Sequence, residues 1–265
     1  MRIAVIVSTY NSKLTLEKVL HGYRMQTVPP AELIVADDGS SDGTDEVVAS
    51  AAKQSHFPMQ YAWQEDLGFR ASRIRNEAVK KSDSEYLIFT DGDCVPHPRF
   101  IQDHDCIARP QTFVQGRRML ASQRLSLNLT SGSALDAFRI SLRGELSGWY
   151  HLLPVPGFCV VKKTIKGIKS CNLGVYRKDL FAVNGFNEDF VGWGREDSEL
   201  AVRLMRYGLV RRDAVFCALV IHLWHEQSSR QSLTRNDKLL ESMIRSGCRQ
   251  CRNGLVKIAD DQQIC

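Results

Sequence analysis

The sequence predicts an α/β fold in which a mostly parallel β-sheet is flanked by helices. In the N-terminal half, short apolar runs alternate with stretches whose apolar residues recur at helical spacing, a pattern typical of strand–helix–strand units. Polar residues directly follow three of the apolar runs. Because ligands bind beyond the carboxyl ends of the strands in such a sheet, we expect these polar residues to share one crevice.

The elements of the N-terminal half follow from this pattern. Strands are predicted over residues 3–7, 33–36, 61–63 and 86–89, and a helix over residues 70–80. Two further helices are indicated by apolar residues on one face, namely Leu16, Val19, Leu20 and Tyr23, and then Val47, Val48, Ala51 and Ala52. Pro29 and Pro30 end the first helix, while Asp45 and Glu46 lie in the first turn of the second, where the helix dipole favours acids.

The pattern is weaker between residues 115 and 169. A helix is predicted over residues 134–146, followed by a basic loop over residues 151–169. The lysines of this loop could meet a diphosphate or an anionic acceptor, namely Lys162, Lys163, Lys166 and Lys169. A mobile basic loop is the commoner structure for such a sequence, and the two interpretations are compatible because active-site lids are loops. Residues 200–205 have helical spacing again and place Glu196 and Asp197 in the first turn of a helix. Residues 235–257 predict a basic amphipathic helix, which either rests on an anionic membrane surface or is a solvated terminal helix.

Composition limits the class of protein. With 43% hydrophobic and 25% charged residues, the chain has the composition of a globular domain. No apolar run is long enough to span a membrane, and the run at residues 3–7 is too short for a secretory signal. We therefore expect a cytoplasmic protein whose basic tail could contact the inner face of the membrane. The net charge of +5 suits anionic substrates and does not require nucleic acid, which we do not expect as a partner.

Eight cysteines are scattered without regular spacing, so we expect buried free thiols in a reducing compartment. Cys248 and Cys251 form a Cys-x-x-Cys pair, but the second pair that a zinc ribbon requires is missing.

Paired acids follow two of the strands. Asp37 and Asp38 come after residues 33–36, and Asp91 and Asp93 flank Gly92 after residues 86–89. Carboxylates at a strand end suit a hard divalent cation, which in turn holds a diphosphate; a solvated acidic turn is the alternative. Neither a Gly-x-Gly-x-x-Gly pattern after the first strand nor a P-loop is present, which argues against a dinucleotide cofactor and against P-loop phosphoryl transfer.

Four segments together resemble the nucleotide-binding half of family-two glycosyltransferases with the GT-A fold. They are STYN at residues 8–11, ADDGSSDGT at 36–44, LGFRASRIRNEAV at 67–79 and FTDGDC at 89–94. The resemblance implies a Rossmann-like sheet, a UDP-sugar donor and Mn²⁺ or Mg²⁺. It also implies substrate-binding roles for Thr9 and Tyr10 at the nucleoside, Asp38 at the base, Arg75 and Asn76 at the nucleotide end of the crevice and Asp91 at the ribose, with Asp93 as a metal ligand.

Residues 192–197 read Gly-Trp-Gly-Arg-Glu-Asp. Trp193 offers a flat apolar face to a sugar ring, the two acids accept hydrogen bonds from hydroxyl groups, and one of them can serve as a general base. Acids that only cap a helix are the alternative, but this leaves the tryptophan and the two glycines unexplained.

Together with residues 169–177 and 185–188, this motif resembles the galactosyltransferase-type motif of β1,4-galactosyltransferases, polypeptide N-acetylgalactosaminyltransferases and bacterial chondroitin polymerases. The family pattern is Gly-Trp-Gly-Gly-Glu-Asp, so Arg195 replaces a glycine. The resemblance implies that Asn172, Trp193 and Glu196 bind substrate, with Glu196 on the acceptor sugar, and that Asp197 is the catalytic base. An Asp at this position favours inversion, since the retaining relatives usually have Asn.

The segment at residues 220–226 contains His222 and His225. Histidine is a frequent metal ligand, and the relatives supply one from this region, so the resemblance implies that one of the two completes the metal site of Asp93. His225 is favoured because it opens a polar run, with His222 as the supporting or second ligand.

We therefore predict one catalytic domain over residues 1–230, divided into a nucleotide-sugar-binding half (1–115) and an acceptor-binding half (116–230), followed by a basic tail (231–265). The predicted reaction is metal-dependent transfer, with inversion, from a UDP-sugar to a carbohydrate or lipid-linked glycan in bacterial surface polysaccharide or lipopolysaccharide assembly. The alternatives are a retaining N-acetylgalactosaminyltransferase-like enzyme, a sugar nucleotidyltransferase and a catalytically silent glycan-binding protein. The intact set of Asp91, Asp93 and Asp197 disfavours the last.

Overall fold

The computed structural model describes residues 1–129, 144–148, 151, 157–226 and 229–259. The strands are β1 (Ile3–Thr9), β2 (Glu32–Asp37), β3 (Met59–Trp63), β4 (Tyr86–Asp91), β5 (Cys94–Pro96), β6 (Thr112–Gln115), β7 (Arg117–Leu120), β8 (Cys159–Lys162), β9 (Asn172–Tyr176), β10 (Val210–Ala214) and β11 (Leu219–His222). The helices are α1 (Lys13–Arg24), α2 (Thr44–Lys53), α3 (Ala71–Lys80), α4 (Phe100–Ile107), α5 (Gln123–Asn128), α6 (Arg177–Ala182), α7 (Glu196–Arg206) and α8 (Leu233–Ser246).

An eight-stranded sheet in the order β3-β2-β1-β4-β9-β6-β10-β8 forms the centre of the molecule. The first four strands of this order run parallel to one another, as do β6 and β10. Strand β9 is antiparallel to both of its neighbours, and β8 is antiparallel to β10. The predicted α/β fold with a mostly parallel sheet is therefore confirmed.

The antiparallel direction of β9 places the start of this strand at the functional edge of the sheet. Thr90 near the end of β4 pairs with Asn172 at the start of β9. The residues that precede Asn172 therefore lie beside the acids that follow β4. A second, three-stranded sheet in the order β5-β11-β7 brings His222 opposite Cys94 and hence next to Asp93.

The large sheet is covered on both faces, as the continuous apolar runs of β1, β2 and β4 require. Because neighbouring residues of a strand point to opposite faces, Ile6 and Phe89 pack with Leu200 on one face. Val5 and Ile88 pack with Leu16 on the other. Burial of each such side chain stabilises the fold by about 1.5–3 kcal/mol.

The strands and helices predicted for the N-terminal half are confirmed within a few residues, and α7 begins at Glu196 as expected. The helix predicted over residues 134–146 falls mostly outside the described residues. The helix predicted over residues 235–257 is shorter than expected, because α8 ends at Ser246 and Gly247 follows with a φ of +77°, a left-handed conformation that ends helices. Beyond it, Leu255 is buried in the main core.

Across the described residues, no helix has the length and apolar character that a membrane span requires. Free thiols are buried, as expected for most of the cysteines, at Cys94, Cys171, Cys217 and Cys251. The free thiols of Cys159 and Cys106 are half-buried and exposed, respectively. Cys248 forms a disulfide, so the expectation of a free thiol is wrong at that position.

Candidate active site

Arg75 on α3 joins acids from the two halves of the chain. It is only 4% exposed, and its Nη2 donates to Asp91 Oδ1 at 3.2 Å while its Nη1 lies 3.5 Å from Glu196 Oε1. Its Nε donates to Ser8 Oγ at 2.9 Å. A guanidinium group has five N–H donors in a planar fork, so one arginine can hold two carboxylates at once. The motif after β4 and the motif at the start of α7 therefore face one crevice.

Asp197 lies beside Glu196 in the first turn of α7. Its two carboxylate oxygens accept hydrogen bonds from the backbone N–H groups of Ser198 at 2.7 Å and Ser170 at 3.3 Å. Burial and the negative charge of Glu196 raise the pKa of Asp197 to about 7, against the opposing effect of Arg75. A carboxylate with a pKa near neutrality is suited to accept a proton during a reaction.

Burial also raises the pKa of Asp91 to about 6, although Arg75 opposes this shift. On the opposite side of the same guanidinium, Glu196 is almost fully buried, and its Oε2 has no hydrogen-bond partner among the described residues. A buried acceptor of this kind is costly unless a ligand satisfies it, which fits the predicted role of Glu196 in binding a sugar hydroxyl.

Asp93, His222 and His225 form a cluster whose potential ligand atoms all lie within 4.8 Å of one another. Asp93 Oδ2 is 3.1 Å from His225 Nε2 and 3.6 Å from His222 Nε2. The backbone supports this arrangement, because Leu223 N–H donates to the carbonyl oxygen of Asp93 at 2.8 Å. The structure thus brings together all three residues predicted to bind metal. One carboxylate and two imidazoles fit Mn²⁺ better than Mg²⁺, which prefers oxygen ligands.

The charges within this cluster are coupled. The hydrogen bond with Asp93 raises the pKa of His225 to about 9, despite its partial burial. Burial acts to raise the pKa of Asp93, but the hydrogen bond from His225 and the charges of both histidines outweigh it and hold that pKa below its usual range. Burial lowers the pKa of His222, which leaves its imidazole neutral and able to bind a metal.

The predicted nucleoside residues lie at the ends of β1 and β2. Asp38 is buried and accepts hydrogen bonds from the backbone N–H of Arg70 at 2.7 Å and from the side chain of Gln64, and burial raises its pKa. Tyr10 is 45% exposed and donates to Asp66 Oδ2 at 2.9 Å. Thr9 lies against Gly92, where a Cβ would come within 3.0 Å of the Thr9 hydroxyl.

Two predicted substrate-binding residues make hydrogen bonds within the protein instead. Asn76 Nδ2 donates to the carbonyl oxygen of Phe186 and to Glu188, and its Oδ1 accepts from the Phe186 N–H. Its side chain therefore joins α3 to the segment before α7.

Asn172 is likewise held inside the protein. Its Nδ2 donates to the carbonyl oxygens of Arg117 and Ala218, at 3.1 and 2.7 Å, and its Oδ1 is 3.0 Å from His104 Nε2. Both amide hydrogens are therefore used within the protein, and the side chain supports the crevice from behind. Direct contact of Asn172 with a substrate stays a prediction that these contacts do not favour.

Trp193 is 40% exposed, and the guanidinium carbon of Arg230 lies 5.5 Å from its ring centroid. Arg195, which stands where the family pattern has glycine, has a φ of +78°. Such a left-handed conformation favours glycine, and here the arginine side chain is held by Asp237 at 2.5 Å. The backbone of the motif thus keeps its glycine-like turn despite the replacement.

Sequence reasoning missed two residues that support the site. Gln64, which hydrogen-bonds Asp38, directly follows β3, so the search for polar residues after strands would have found it. Ser8, which accepts from Arg75, is the last residue before the predicted pair Thr9 and Tyr10. It directly follows the apolar run of residues 3–7, so the pattern of polar residues at strand ends applies to it as well.

Two family models match separate parts of the chain. Residues 4–109 match glycosyl transferase family 2, and residues 158–219 match the N-terminal domain of galactosyltransferase. The first range contains the acids after β2 and β4, and the second contains the motif with Glu196 and Asp197. These matches confirm the family resemblance that the motifs indicated.

Curated relatives agree with this assignment. Validoxylamine A glucosyltransferase of Streptomyces hygroscopicus subsp. limoneus is 27% identical over 230 residues, which cover 78% of this chain and 48% of the relative. Chondroitin synthase of Escherichia coli is 24% identical over 229 residues, which cover 78% of this chain and 32% of the relative. This chain therefore spans about half or less of the length of these relatives.

Solved structures show the same fold. Staphylococcus aureus TarS 1–349 in complex with UDP superposes with a TM-score of 0.64 at 16% identity, covering 92% of this chain and 65% of TarS 1–349. The mannosyltransferase PcManGT from Pyrobaculum calidifontis, in complex with GDP-Man and Mn²⁺, superposes with a TM-score of 0.61 at 20% identity, covering 92% of this chain and 63% of PcManGT. These likenesses confirm the predicted GT-A fold.

Proposed function

Because residues 4–109 match glycosyl transferase family 2 and the chain has the GT-A fold, we propose that this protein is a metal-dependent, inverting glycosyltransferase. It transfers a sugar from a UDP-sugar to a hydroxyl group of a carbohydrate acceptor. The observation that most supports this proposal is the double contact of Arg75 with Asp91 and Glu196. It joins the acids that resemble a donor site to those that resemble an acceptor site.

The donor side of the crevice suits a nucleotide. Buried Asp38 can accept a hydrogen bond from the N–H of a base, as uracil offers. Buried Thr9 ends the neighbouring strand β1, and exposed Tyr10 follows it. The solved neighbours were obtained with UDP, UDP-GlcNAc and GDP-Man. They therefore support a nucleotide-sugar donor, and the preference for uracil is part of our proposal.

Asp93, His222 and His225 would hold the divalent cation. A neighbouring structure contains Mn²⁺, and the two imidazoles of this chain favour the same ion over Mg²⁺. When bound, such an ion neutralises the negative charge that develops on the departing diphosphate.

Asp197 would act as the general base. The acceptor hydroxyl lies between Glu196 and Asp197, Trp193 stacks on the acceptor ring, and Asp197 takes the proton as the hydroxyl oxygen attacks the anomeric carbon. The backbone N–H groups of Ser170 and Ser198 hold the Asp197 carboxylate in position. A single attack from the face opposite the leaving group gives inversion, through a transition state that resembles an oxocarbenium ion.

The relatives point to carbohydrate acceptors. Chondroitin synthase and hyaluronan synthase are among them, so we propose a role in the synthesis of a polysaccharide or a lipid-linked glycan. Cytoplasmic location, with the basic tail on the inner membrane face, belongs to the same proposal.

The test is release of UDP from a panel of UDP-sugars in the presence of Mn²⁺. We expect Asp197→Asn to lower turnover by about a hundred- to ten-thousand-fold, the usual contribution of a general base, with UDP affinity unchanged. Asp83→Asn is the matched control, because Asp83 has a side chain that is 94% exposed. Normal turnover of Asp197→Asn would remove Asp197 from this role.

The anomeric configuration of the product distinguishes inversion from retention. A nucleotidyltransferase would instead release pyrophosphate from a nucleoside triphosphate, and a silent glycan-binding protein would release neither product. The proposed reaction would be contradicted if no UDP-sugar released UDP and pyrophosphate were released from UTP and a sugar phosphate instead.

A further inference from the structure

The basic residues around the start of β9 fall into two groups. Lys162 and Arg211 contact buried Asp213, with Lys162 Nζ at 2.8 Å and Arg211 Nε at 2.6 Å from its oxygens. Arg117 Nε donates to the carbonyl oxygen of Ala214 at 2.7 Å. These three cations are therefore used within the protein. Lys162 in particular is unsuited to the anion-binding role that the sequence suggested for the lysines of this loop.

Arg118 and Lys169 form the second group. Both side chains are half-buried, yet within the described ranges neither makes a hydrogen bond or an ion pair to a protein acceptor. Partial burial of a cation without a partner is unfavourable, and burial together with Arg118 lowers the pKa of Lys169. Lys163 and Lys166 on the same loop are exposed and carry no such cost.

The strand register places Arg118 on the face of the small sheet that contains His222. Strands β7 and β11 run parallel with Arg118 opposite Val220 and Leu120 opposite His222. Paired residues, and residues two apart in a strand, point to the same face. Arg118 therefore lies about 7 Å along the strand direction from the level of His222.

The backbone places Lys169 between the end of β6, in the large sheet, and Asp197. Lys169 N–H donates to Gln115 Oε1 at 2.7 Å, three residues before Arg118. The next residue along, Ser170, donates its N–H to Asp197 Oδ2 at 3.3 Å. The negative charge of Asp197 acts to raise the pKa of Lys169, against the larger effects of burial and of Arg118. The oxygens of Asp197 already accept hydrogen bonds from two backbone N–H groups, those of Ser198 and Ser170.

We propose that Arg118 and Lys169 form an anion-binding pair that receives a phosphate or carboxylate group of a substrate between His222 and Asp197. The inference rests on the proposed function, since it concerns the same crevice. Arg118 supplies a planar fork and Lys169 a point charge, a combination suited to tetrahedral and planar oxyanions. The anion has two possible sources. One is the diphosphate of the donor, and the other is an acidic group on the acceptor next to the reacting hydroxyl.

Two binding measurements separate these sources. In the first, the affinities of UDP and uridine are compared in the presence of Mn²⁺ for the wild-type protein, Arg118→Ala and Lys169→Ala. If the pair binds the donor diphosphate, each variant loses UDP affinity by about tenfold or more, as expected for a charge-assisted hydrogen bond. Uridine affinity does not change.

In the second measurement, inorganic sulfate is titrated into the protein saturated with UDP and Mn²⁺. If the pair binds an acidic acceptor group, sulfate binds to the loaded protein, and each variant loses sulfate affinity by about tenfold while keeping its UDP affinity. Arg118→Lys and Lys169→Arg should restore most of whichever affinity is lost, which a merely structural role would not produce. Lys53→Ala, at an exposed lysine in the last turn of α2, is the control and should bind both ligands normally.

The proposal is overturned if both alanine variants bind UDP and sulfate as the wild type does. That outcome would leave the proposed function intact as long as the wild type releases UDP from a donor sugar. Conversely, absence of UDP release from every donor, with the expected loss of sulfate affinity in the variants, would reject the proposed reaction and keep the anion site.

Discussion

Replacement of Arg75 by methionine tests whether one buried cation holds the two halves of the site together. The side chain of Arg75 is 5% exposed, and those of its partners Asp91 and Glu196 are 32% and 11% exposed. Removing one partner of a buried ion pair typically costs about 3–5 kcal/mol, because the remaining charges are left uncompensated. Since water screens one third of Asp91, we expect a loss near the lower end, about 3 kcal/mol.

This loss should depend on pH in a defined direction. Burial already raises the pKa of Asp91 to about 6 when Arg75 is present, and without the cation the pKa should rise further. A carboxyl group whose folded pKa lies above its unfolded value of about 4 destabilises the folded state only at pH values where the unfolded chain ionises it. The deficit of the variant relative to the wild type should therefore be small below about pH 6, where Asp91 is already protonated in the folded wild type, and should grow as the pH rises above 6.

Urea denaturation of the metal-free protein at pH 7 and pH 4.5 measures the effect, provided that the m-value is unchanged. Arg73→Met is the matched control on the same helix. Arg73 is exposed, so its loss should change the free energy of unfolding by about 0.5 kcal/mol or less. Arg75→Lys should be intermediate, because an ammonium group does not offer the forked geometry that reaches both acids. An equal deficit for Arg75→Met at the two pH values would refute the electrostatic account and leave only lost packing against Phe186.

Three further predictions concern the same crevice and its support. The value of kcat/KM should fall about tenfold per pH unit below pH 7, because burial raises the pKa of Asp197 to about 7 and only the ionised base acts. A flat profile from pH 5 to 7 would exclude Asp197 as the general base. His222→Ala and His225→Ala should each weaken Mn²⁺-dependent binding of UDP by at least about tenfold. Calorimetry measures this affinity, with uridine as the metal-independent control, and an unchanged affinity would show that the replaced histidine is not a metal ligand. Arg203→Met should lower the free energy of unfolding by about 3–5 kcal/mol, because Arg203 and Glu199 form a fully buried ion pair at 2.6 Å. The UDP affinity of the folded fraction should stay normal, and its loss would show that the pair also shapes the site.

Local sequence pattern was sufficient for the strands and helices of the N-terminal half. The apolar runs at residues 3–7, 33–36 and 86–89 are continuous because each strand is buried on both faces of the sheet. The polar residues at the strand ends could be predicted to share a crevice for the same reason, since parallel strands end at one edge. The metal cluster of Asp93, His222 and His225 was found through the family resemblance, because no local pattern links residues so far apart in the chain.

Contacts between distant segments were not accessible in this way. Asn76 and Asn172 stand within motifs that indicate substrate contact, yet their amide groups are bound by protein carbonyls and side chains. Similarly, composition treats the lysines of the 151–169 loop as equivalent. The structure distinguishes them, because Lys162 binds the buried acid Asp213, whereas the side chain of Lys169 has no protein acceptor among the described residues.

The sequence by itself thus determined the alternation of strands and helices, the acids at the strand ends and the acids at the start of α7, because these depend on residues close together in the chain. The tertiary structure decided that β9 runs antiparallel to β4, and hence that Ser170 and Asp197 lie beside Asp91. It also decided that Arg75 serves acids from both halves. Strand direction and the sharing of a buried charge are set by the free energy of the whole packed core, which no local pattern of residues records.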